Sequence, residues 1–440
     1  MHKQTVLIIG EVFIDTHLDI IYERGPLVRL GGIFHSARAF SALNVDYMLA
    51  YYAPGYLDSD INYWSCILRT KGCFKLGTIE SAPNVMLINE SKEVGDQKYY
   101  NIIKDQAQYI DMGDIKQIIE IANPTDILIY PGRYSFESLS KALNNFNGRI
   151  YIDFHYDNEN LLECVTTTID TAILSTSSSL FKEQCRGTLE GILEYFKNYN
   201  INQIVVKENR GGSFCFDVSS KKIFEAPAYL VPTKHSVGVG DVFNAIFISK
   251  VLNEDVENRM RLASLCAAKY AETMSFNKFA KNTKLILDNI DEFEFPEGVR
   301  LSWSERNQKH IYLAAPDFPT VNTKPLDELY ECLLYHNFNP HLPIRENGFA
   351  DSSITDEEER IIYNKDIQLL ETCDLLIAVL LYNDPGTLVE LGMFKQSGKP
   401  TIIYDPFSYC ENMFVRHTPD FLCKTLEEVI SSTYQCLKRR

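Results

Sequence analysis

The sequence predicts an α/β protein of two domains, a larger one over residues 1–290 and a smaller one over 310–440, joined by a linker at 291–309. Three observations predict it. Strand-length apolar runs alternate with helical patterns through the first domain, as parallel sheets with helical crossovers require. A polar stretch without sustained period then intervenes. A second alternation fills the remainder, and about 130 residues suffice for one small doubly wound domain of the flavodoxin or Rossmann type.

In the first domain the runs are VLIIG (6–10), DILIYPG (126–132), RIYIDF (149–154), TAILST (171–176) and QIVVKE (203–208). They are continuously apolar rather than alternating, as strands buried on both faces are. IKQIIEIA and LEGILEYF between them carry helical spacing. Two longer helices are expected near Asp241–Leu252 and Glu257–Met274. The segment Asp291 to Lys309 is polar and contains Pro296 and Gly298, which marks it as interdomain chain.

The second domain opens with a strand, HIYLAAP (310–316), and a helix, TKPLDELYECLLYHN. DEEERIIYNKDIQLLETC is a second helix and DLLIAVLLY (374–382) a second strand. GTLVELGMFKQSG is a helix closed by Gly398, PTIIYDP is a strand, and TLEEVISSTYQCLKRR is a final helix whose basic end suits the macrodipole.

The chain has 440 residues and a formal net charge of -16. That disfavours a sequence-independent hold on a nucleic-acid polymer, which needs clustered Lys and Arg. It leaves small phosphorylated ligands open, since a few backbone N–H groups can hold them. The 11 cysteines show no CxxC pair and complete no metal pattern, so they read as reduced thiols of a cytoplasmic protein. The opening run, Val6 to Gly10, is too short for a signal peptide, and no run approaches the ~20 residues of a transmembrane helix. No membrane partner is expected.

In the second domain the stretch DPGTLVELG (384–392) follows a strand and opens a helix. Ligands of open α/β sheets bind beyond the carboxyl ends of strands, so Asp384, Gly386, Thr387 and Glu390 lie where chemistry is expected. Asp384 or Thr387 could simply cap the helix. Capping does not explain Glu390, a carboxylate among Leu388, Val389 and Leu391. With IYLAAPDF (311–318), YNKD (363–366), CDLLIAVL (373–380) and ENMF (411–414), this stretch resembles the nucleoside 2-deoxyribosyltransferase family, five pieces in the family's order. The resemblance implies that Glu390 is a nucleophile attacking the sugar C1′ and forming a covalent glycosyl-enzyme. It implies that Tyr312 orients Glu390, that Asp366 and Asp384 contact the base and assist proton transfer, and that Asn412 binds the sugar, in its own site or a neighbouring subunit's. A homo-oligomer through this domain is implied, and no cofactor is required for it.

In the first domain HSVGVGDVFNAIF (235–247) places Gly238, Val239 and Gly240 before Asp241 at a helix start. Free N–H groups there make an anion hole, and the Asp can take a proton from an attacking hydroxyl. The bland alternative is a Gly-rich helix start with an Asp cap. Gly10, Asp15 and the Gly31-Gly32 pair, with APNVMLIN (82–89), IYPGR (129–133), YIDF (151–154) and VVKENRGG (205–212), follow the order of the ribokinase-like PfkB kinases, which the stretch resembles. The resemblance implies a ribokinase-like α/β fold, ATP and Mg2+ as cofactors, and Asp15, Gly31 and Gly32 as binders of substrate hydroxyls. The sequence departs from the family's pattern at His235, where the signature has Asp, and at Ser36, where Asn is usual. It departs again at Ser177 and Leu180, in place of the Asn and Glu that arrange magnesium, and at Asn209, in place of a Gly.

Two functions follow as expectations. In one, a two-domain enzyme of nucleoside metabolism breaks or transfers an N-glycosidic bond in its second domain and phosphorylates a sugar or nucleoside in its first. In the other, the first domain is a degenerate kinase that senses a nucleotide, or serves as scaffold, and controls a nucleoside or nucleotide hydrolase, as in defence against phage.

Overall fold

The computed structural model describes residues 3–22, 25–92, 94–96, 99–154, 165–251, 255–289, 295–349 and 354–439. The chain divides into two compact units, residues 1–93 with 98–298, and residues 94–97 with 299–440.

The first unit has fourteen strands among the described residues: β1 (Thr5–Glu11), β2 (Ile14–Tyr22), β3 (Gly25–Leu30), β4 (Asp46–Tyr52), β5 (Gly72–Glu80), β6 (Val85–Ile88), β7 (Tyr100–Asn101), β8 (Gln108–Asp111), β9 (Asp126–Ile129), β10 (Arg149–Asp153), β11 (Ile169–Ser175), β12 (Ile201–Lys207), β13 (Ser213–Asp217) and β14 (Lys222–Ala226). Ten of them form one mixed sheet, in the order β14-β13-β12-β11-β10-β9-β1-β4-β5-β8. Its centre, from β5 to β12, is parallel, and the edge strands β8, β13 and β14 run antiparallel. The parallel strands are the continuously apolar runs, and Val6 to Ile9 and Ile127 to Ile129 are completely buried. Because the strands are parallel, Asp153 at the end of β10 and Lys207 at the end of β12 reach the same edge of the sheet. The helices Val239–Ile248 and Val256–Ala271 cover the sheet with their apolar faces.

A second sheet, β3-β2-β6-β7, stands apart from the first. Its strands β2 and β3 mix polar and apolar residues, and it sets Asp15 directly opposite Arg29.

The second unit has five parallel strands, β15 (His310–Ala314), β16 (Asn339–His341), β17 (Leu375–Val379), β18 (Thr401–Tyr404) and β19 (Phe421–Cys423), in the order β16-β15-β17-β18-β19. The strand order reverses between β15 and β17, and at such a switch point a crevice opens at the carboxyl ends of the strands. Helix Asp356–Thr372 starts in a capping box of Thr355 and Glu358, and helix Leu426–Leu437 in one of Thr425 and Glu428.

Residues 299–309, within the segment read as linker, belong to this unit. Leu301 is buried, and Arg306 is 0% exposed. The Arg306 Nε donates to the Leu301 carbonyl at 3.1 Å, and its guanidinium lies 5.0 Å from the Tyr434 ring and 5.5 Å from the Trp303 ring. A charged, polar-looking segment thus docks through one desolvated arginine, which sequence polarity hides. We expect Arg306→Ala to destabilise the second unit by roughly 2–4 kcal/mol, since it breaks a buried polar contact and empties an aromatic slot. Urea unfolding followed by Trp303 fluorescence measures this, and a loss within ±0.5 kcal/mol would mark the segment as a passive tether.

Candidate active site

Helix Pro385–Gln396 begins just past β17, with Asp384 as N-cap and proline in the first turn. Its buried residues are Thr387, Leu391 and Phe394, at the spacing of one helical face. Glu390 falls on that same face and is half-buried. On the neighbouring strand β15, Tyr312 is 0% exposed, and its hydroxyl donates to Glu390 Oε1 at 2.6 Å. Leu391, Phe394, Leu370 and Leu376 share one apolar cluster with Tyr312.

Burial pushes the Glu390 carboxyl up to about 7, the Tyr312 hydrogen bond opposes this, and the charges of Asp366 and Asp384 reinforce it. Near neutral pH Glu390 is therefore poised between its protonated and its ionised form. Asp366, on helix Asp356–Thr372, accepts from the Asn347 amide at 2.8 Å. Burial raises its pKa against that hydrogen bond. Tyr312 is driven far up by burial and by Glu390, so it remains a donor.

Asp384 caps its helix, accepting from the Thr387 N–H at 2.7 Å and the Thr387 hydroxyl at 2.9 Å. Thr387 is buried and its hydroxyl is engaged in this cap. Gly386 is exposed, and a Cβ there would come 3.1 Å from Asp384 Oδ2. Asn412 caps the short helix Met413–His417 through the Phe414 N–H at 2.8 Å. Its side chain is exposed and shares no hydrogen bond with Tyr312, Glu390, Asp366 or Asp384 among the described residues. Tyr312, Glu390, Asp366 and Asp384 are thus coupled, and Asn412 stands outside the group. The positioning amide of Asn347 was missed in the sequence, because nothing in REN (345–347) announces it.

The first unit carries a second polar site. Gly238 takes φ 76, the left-handed conformation, and starts helix Val239–Ile248, which no side chain caps. Asp241 lies in its first turn, where burial and the Asp153 charge push it up to about 7 while Lys207 pulls it down. Lys207 Nζ donates to Asp153 Oδ2 at 3.0 Å and to Asn244 Oδ1 at 3.0 Å. Asn244 Nδ2 donates to Asp153 Oδ2 at 2.5 Å, and Ser36 joins Tyr130 at 2.6 Å and the Asp241 carbonyl at 3.1 Å. Lys207 and Asn244 were missed in the sequence. A lysine closing the buried run QIVVKE, and an Asn one turn beyond Asp241, are the signals that could have found them.

Asp15, expected to take substrate hydroxyls, is 3% exposed and faces protein. His35 Nε2 lies 3.0 Å and Arg29 Nε 3.8 Å from its Oδ2. A Cβ on Gly31 would fall 2.1 Å from Asp15 Oδ1, and one on Gly238 would fall 2.1 Å from the His35 ring. The His35 ring therefore fills the space between Asp15 and the Gly238 turn. Its other ring nitrogen is 2.9 Å from the Tyr270 hydroxyl, and burial pushes its pKa down to about 4. Gly32, at φ 60, lets the chain pass within 2.2 Å of the Glu11 carbonyl where a Cβ would stand. His235 is completely buried and 3.3 Å from Arg29 Nη2.

The residues here do not fit magnesium. Among the described residues no three His, Cys, Asp or Glu side chains gather closely enough to hold a metal ion. The Asp153 carboxylate is engaged by Lys207 and Asn244. Ser177 is bonded to Ser175 at 2.7 Å, and Leu180 is buried.

Residues 311–416 match the family model of the nucleoside 2-deoxyribosyltransferases. Among solved structures, the ribokinase of Giardia lamblia superposes with a TM-score of 0.51 at 13% identity, covering 66% of this chain and 100% of its own. An Arabidopsis thaliana ribokinase complexed with ribose and ATP gives 0.47 at 16% identity, covering 65% and 99%. Escherichia coli phosphofructokinase-2 in complex with potassium gives 0.48 at 14%, covering 66% and 100%. Comparison with curated proteins gives no match. The first unit has the ribokinase fold, and residues 311–416 of the second are similar to the nucleoside 2-deoxyribosyltransferases.

Glu390 binds its proton more tightly in the folded chain than in the unfolded one. The fold therefore loses stability as pH rises from 4.5 through about 7. Glu390→Gln escapes that loss, so it should be more stable than the parent at pH 8, by roughly 1–2 kcal/mol after allowance for partial exposure, and equal to it near pH 4. Thermal unfolding at the two pH values checks this; a variant less stable at pH 8 would mean that the carboxylate is stabilised by its surroundings.

Proposed function

We propose that the second unit cleaves the N-glycosidic bond of a (deoxy)nucleoside or nucleotide through a covalent intermediate on Glu390. The observation that carries this reading is the Tyr312–Glu390 hydrogen bond of 2.6 Å, beneath a carboxylate whose burial favours giving up charge. A Glu390 oxygen attacks C1′, and the bond from C1′ to the base nitrogen breaks. The base leaves with its bonding electrons and takes a proton, with Asp366, whose raised pKa keeps more of it protonated, as donor. A second base, or water, then attacks C1′, gives up its proton to the Asp366 carboxylate, and releases the Glu390 carboxylate. Tyr312 holds the attacking carboxylate in register, and Asp384, anchored as helix cap, lies where it can contact the base. No cofactor enters this scheme. Transfer and hydrolysis share it and differ only in how well water is excluded.

We read the first unit as a nucleotide binder that does not transfer phosphate. The closure of Asp15 by His35 and Arg29 favours this over a working kinase, because the carboxylate that would orient an acceptor hydroxyl faces protein instead. The α/β units together read as a cytoplasmic homo-oligomer. The described cysteines are free, no helix among the described residues is long and apolar enough to cross a membrane, and Val389, Met393, Met413 and Phe414 leave apolar surface on the second unit for another copy.

Glu390→Ala should abolish base release from a nucleoside and nucleotide panel read by chromatography, with the fold intact; near-parental release would refute the nucleophile. Asp366→Asn and Asp384→Asn should slow release by about 10²–10⁴-fold, less than the Glu390 change. Rates unchanged across pH would reduce both residues to structural roles. The rising limb of kcat/KM should centre near pH 7, and Tyr312→Phe should move it upward by about one pH unit, since a hydrogen bond to the ionised form is lost. A coupled ADP assay with ribose, deoxyribose and nucleosides should show no turnover above the ATP background, and brisk phosphorylation of any of them would restore a kinase.

A further inference from the structure

We propose that Lys207 supplies at this helix start the positive charge that a divalent cation would otherwise bring, so that the first unit binds nucleotide phosphate without a metal ion. The inference rests on the nucleotide-binding reading of this unit and adds how the charge is met.

Three observations carry it. The first is placement. Lys207 is the last residue of β12, at the carboxyl edge of the parallel sheet, and its Nζ lies 3.2 Å from where a Cβ on Gly240 would be. The ammonium therefore covers the start of helix Val239–Ile248, whose first N–H groups have no side-chain cap. A cation is unfavourable at the positive end of a helix dipole unless an anion shares the place.

The second is how the ammonium is held. Its side chain is 13% exposed, and two of its three N–H bonds go to Asp153 and Asn244, both buried. Asn244 is fixed in turn, since its amide donates to Asp153 and reaches the Tyr130 hydroxyl at 3.4 Å. Lys207 is thus positioned by a buried network rather than swinging in solvent, and one N–H remains for a ligand oxygen. The lysine makes no hydrogen bond with Asp241, which stands across the same helix start.

The third is the mismatch with a metal. A divalent ion would have to displace Lys207 from Asp153 Oδ2, which already accepts two hydrogen bonds, or else sit against an ammonium. The residues at Ser177 and Leu180 offer no carboxylate to draw it in. A resident lysine provides the positive charge once and for all, as a point charge suited to a phosphate oxygen. The ligand class this selects is a nucleotide presenting its terminal phosphate to the helix start, as the free anion rather than its magnesium complex.

Calorimetry on the full-length protein tests this, with ATP titrated in EDTA and again in excess magnesium, and with AMP and inorganic phosphate as further probes. The expected result is ATP binding in EDTA, with affinity in magnesium no better than about threefold tighter. Lys207→Gln should lose tenfold or more of the affinity in EDTA, and Lys207→Arg, which keeps the charge, should stay within a few fold; circular dichroism confirms that each variant is folded. Binding of inorganic phosphate as tight as that of ATP would overturn the nucleotide assignment. ATP binding that requires magnesium overturns the role of Lys207 but leaves the nucleotide-binding reading standing. No ATP binding in either buffer overturns both, and unchanged affinity in folded Lys207→Gln overturns the role of the lysine alone.

Discussion

A single hydrogen bond, from the buried hydroxyl of Tyr312 to the carboxylate of Glu390, is what the chemistry proposed for the second unit depends on. A carboxylate beside Leu391 and Phe394 loses hydration, and its charged form is penalised. Without a donor the charged form would be penalised further and a smaller share of Glu390 would be ionised at neutral pH. The phenol offsets part of that penalty, so Glu390 remains ionisable near neutrality and unusually reactive when ionised. The donor comes from β15 and the acceptor from the helix after β17. The bond can therefore form only because those two strands are neighbours at the switch point of the sheet, and the topology and the chemistry share one constraint.

The first unit solves the opposite problem. Its parallel sheet also gathers polar side chains at one edge, but there the groups satisfy one another. Asp153, Lys207 and Asn244 form one hydrogen-bonded network, while Asp15 lies against His35 and Arg29 with its Oδ2 left without a hydrogen bond. A buried polar network held by several hydrogen bonds is rigid and selective. The first unit has the ribokinase fold, and within it the Asp15 carboxylate faces His35 and Arg29.

The expected α/β organisation was legible wherever burial is two-sided. The runs at 6–10, 126–132, 149–154, 171–176 and 203–208 are all strands of the large sheet, because a strand covered on both faces has no room for polar residues. The helix near Asp241 starts two residues earlier, at Val239, since glycines hide a helix start. The small sheet of β2, β3, β6 and β7 was not legible, because IDTHLDIIY and GPLVRL mix polar and apolar residues without either period. Glu390 and Tyr312 could be paired from the sequence only through a family resemblance, being 78 residues apart. His35 and Lys207 could not be given their partners at all, since a buried polar contact between distant elements leaves no periodic trace. Arg306 shows the same limit, a charge in a polar segment that the fold buries completely.

The covalent route through Glu390 is the centre of this account, and rapid-quench mass spectrometry reaches it most directly. The full-length protein is mixed with a nucleoside or nucleotide from which it releases base, quenched in acid within milliseconds to seconds, and digested. The account predicts a glycosyl adduct on the peptide that carries Glu390, appearing with the free base and disappearing when an acceptor base is added. Base release with the sugar on another residue, or with no protein adduct at any time point, would contradict it.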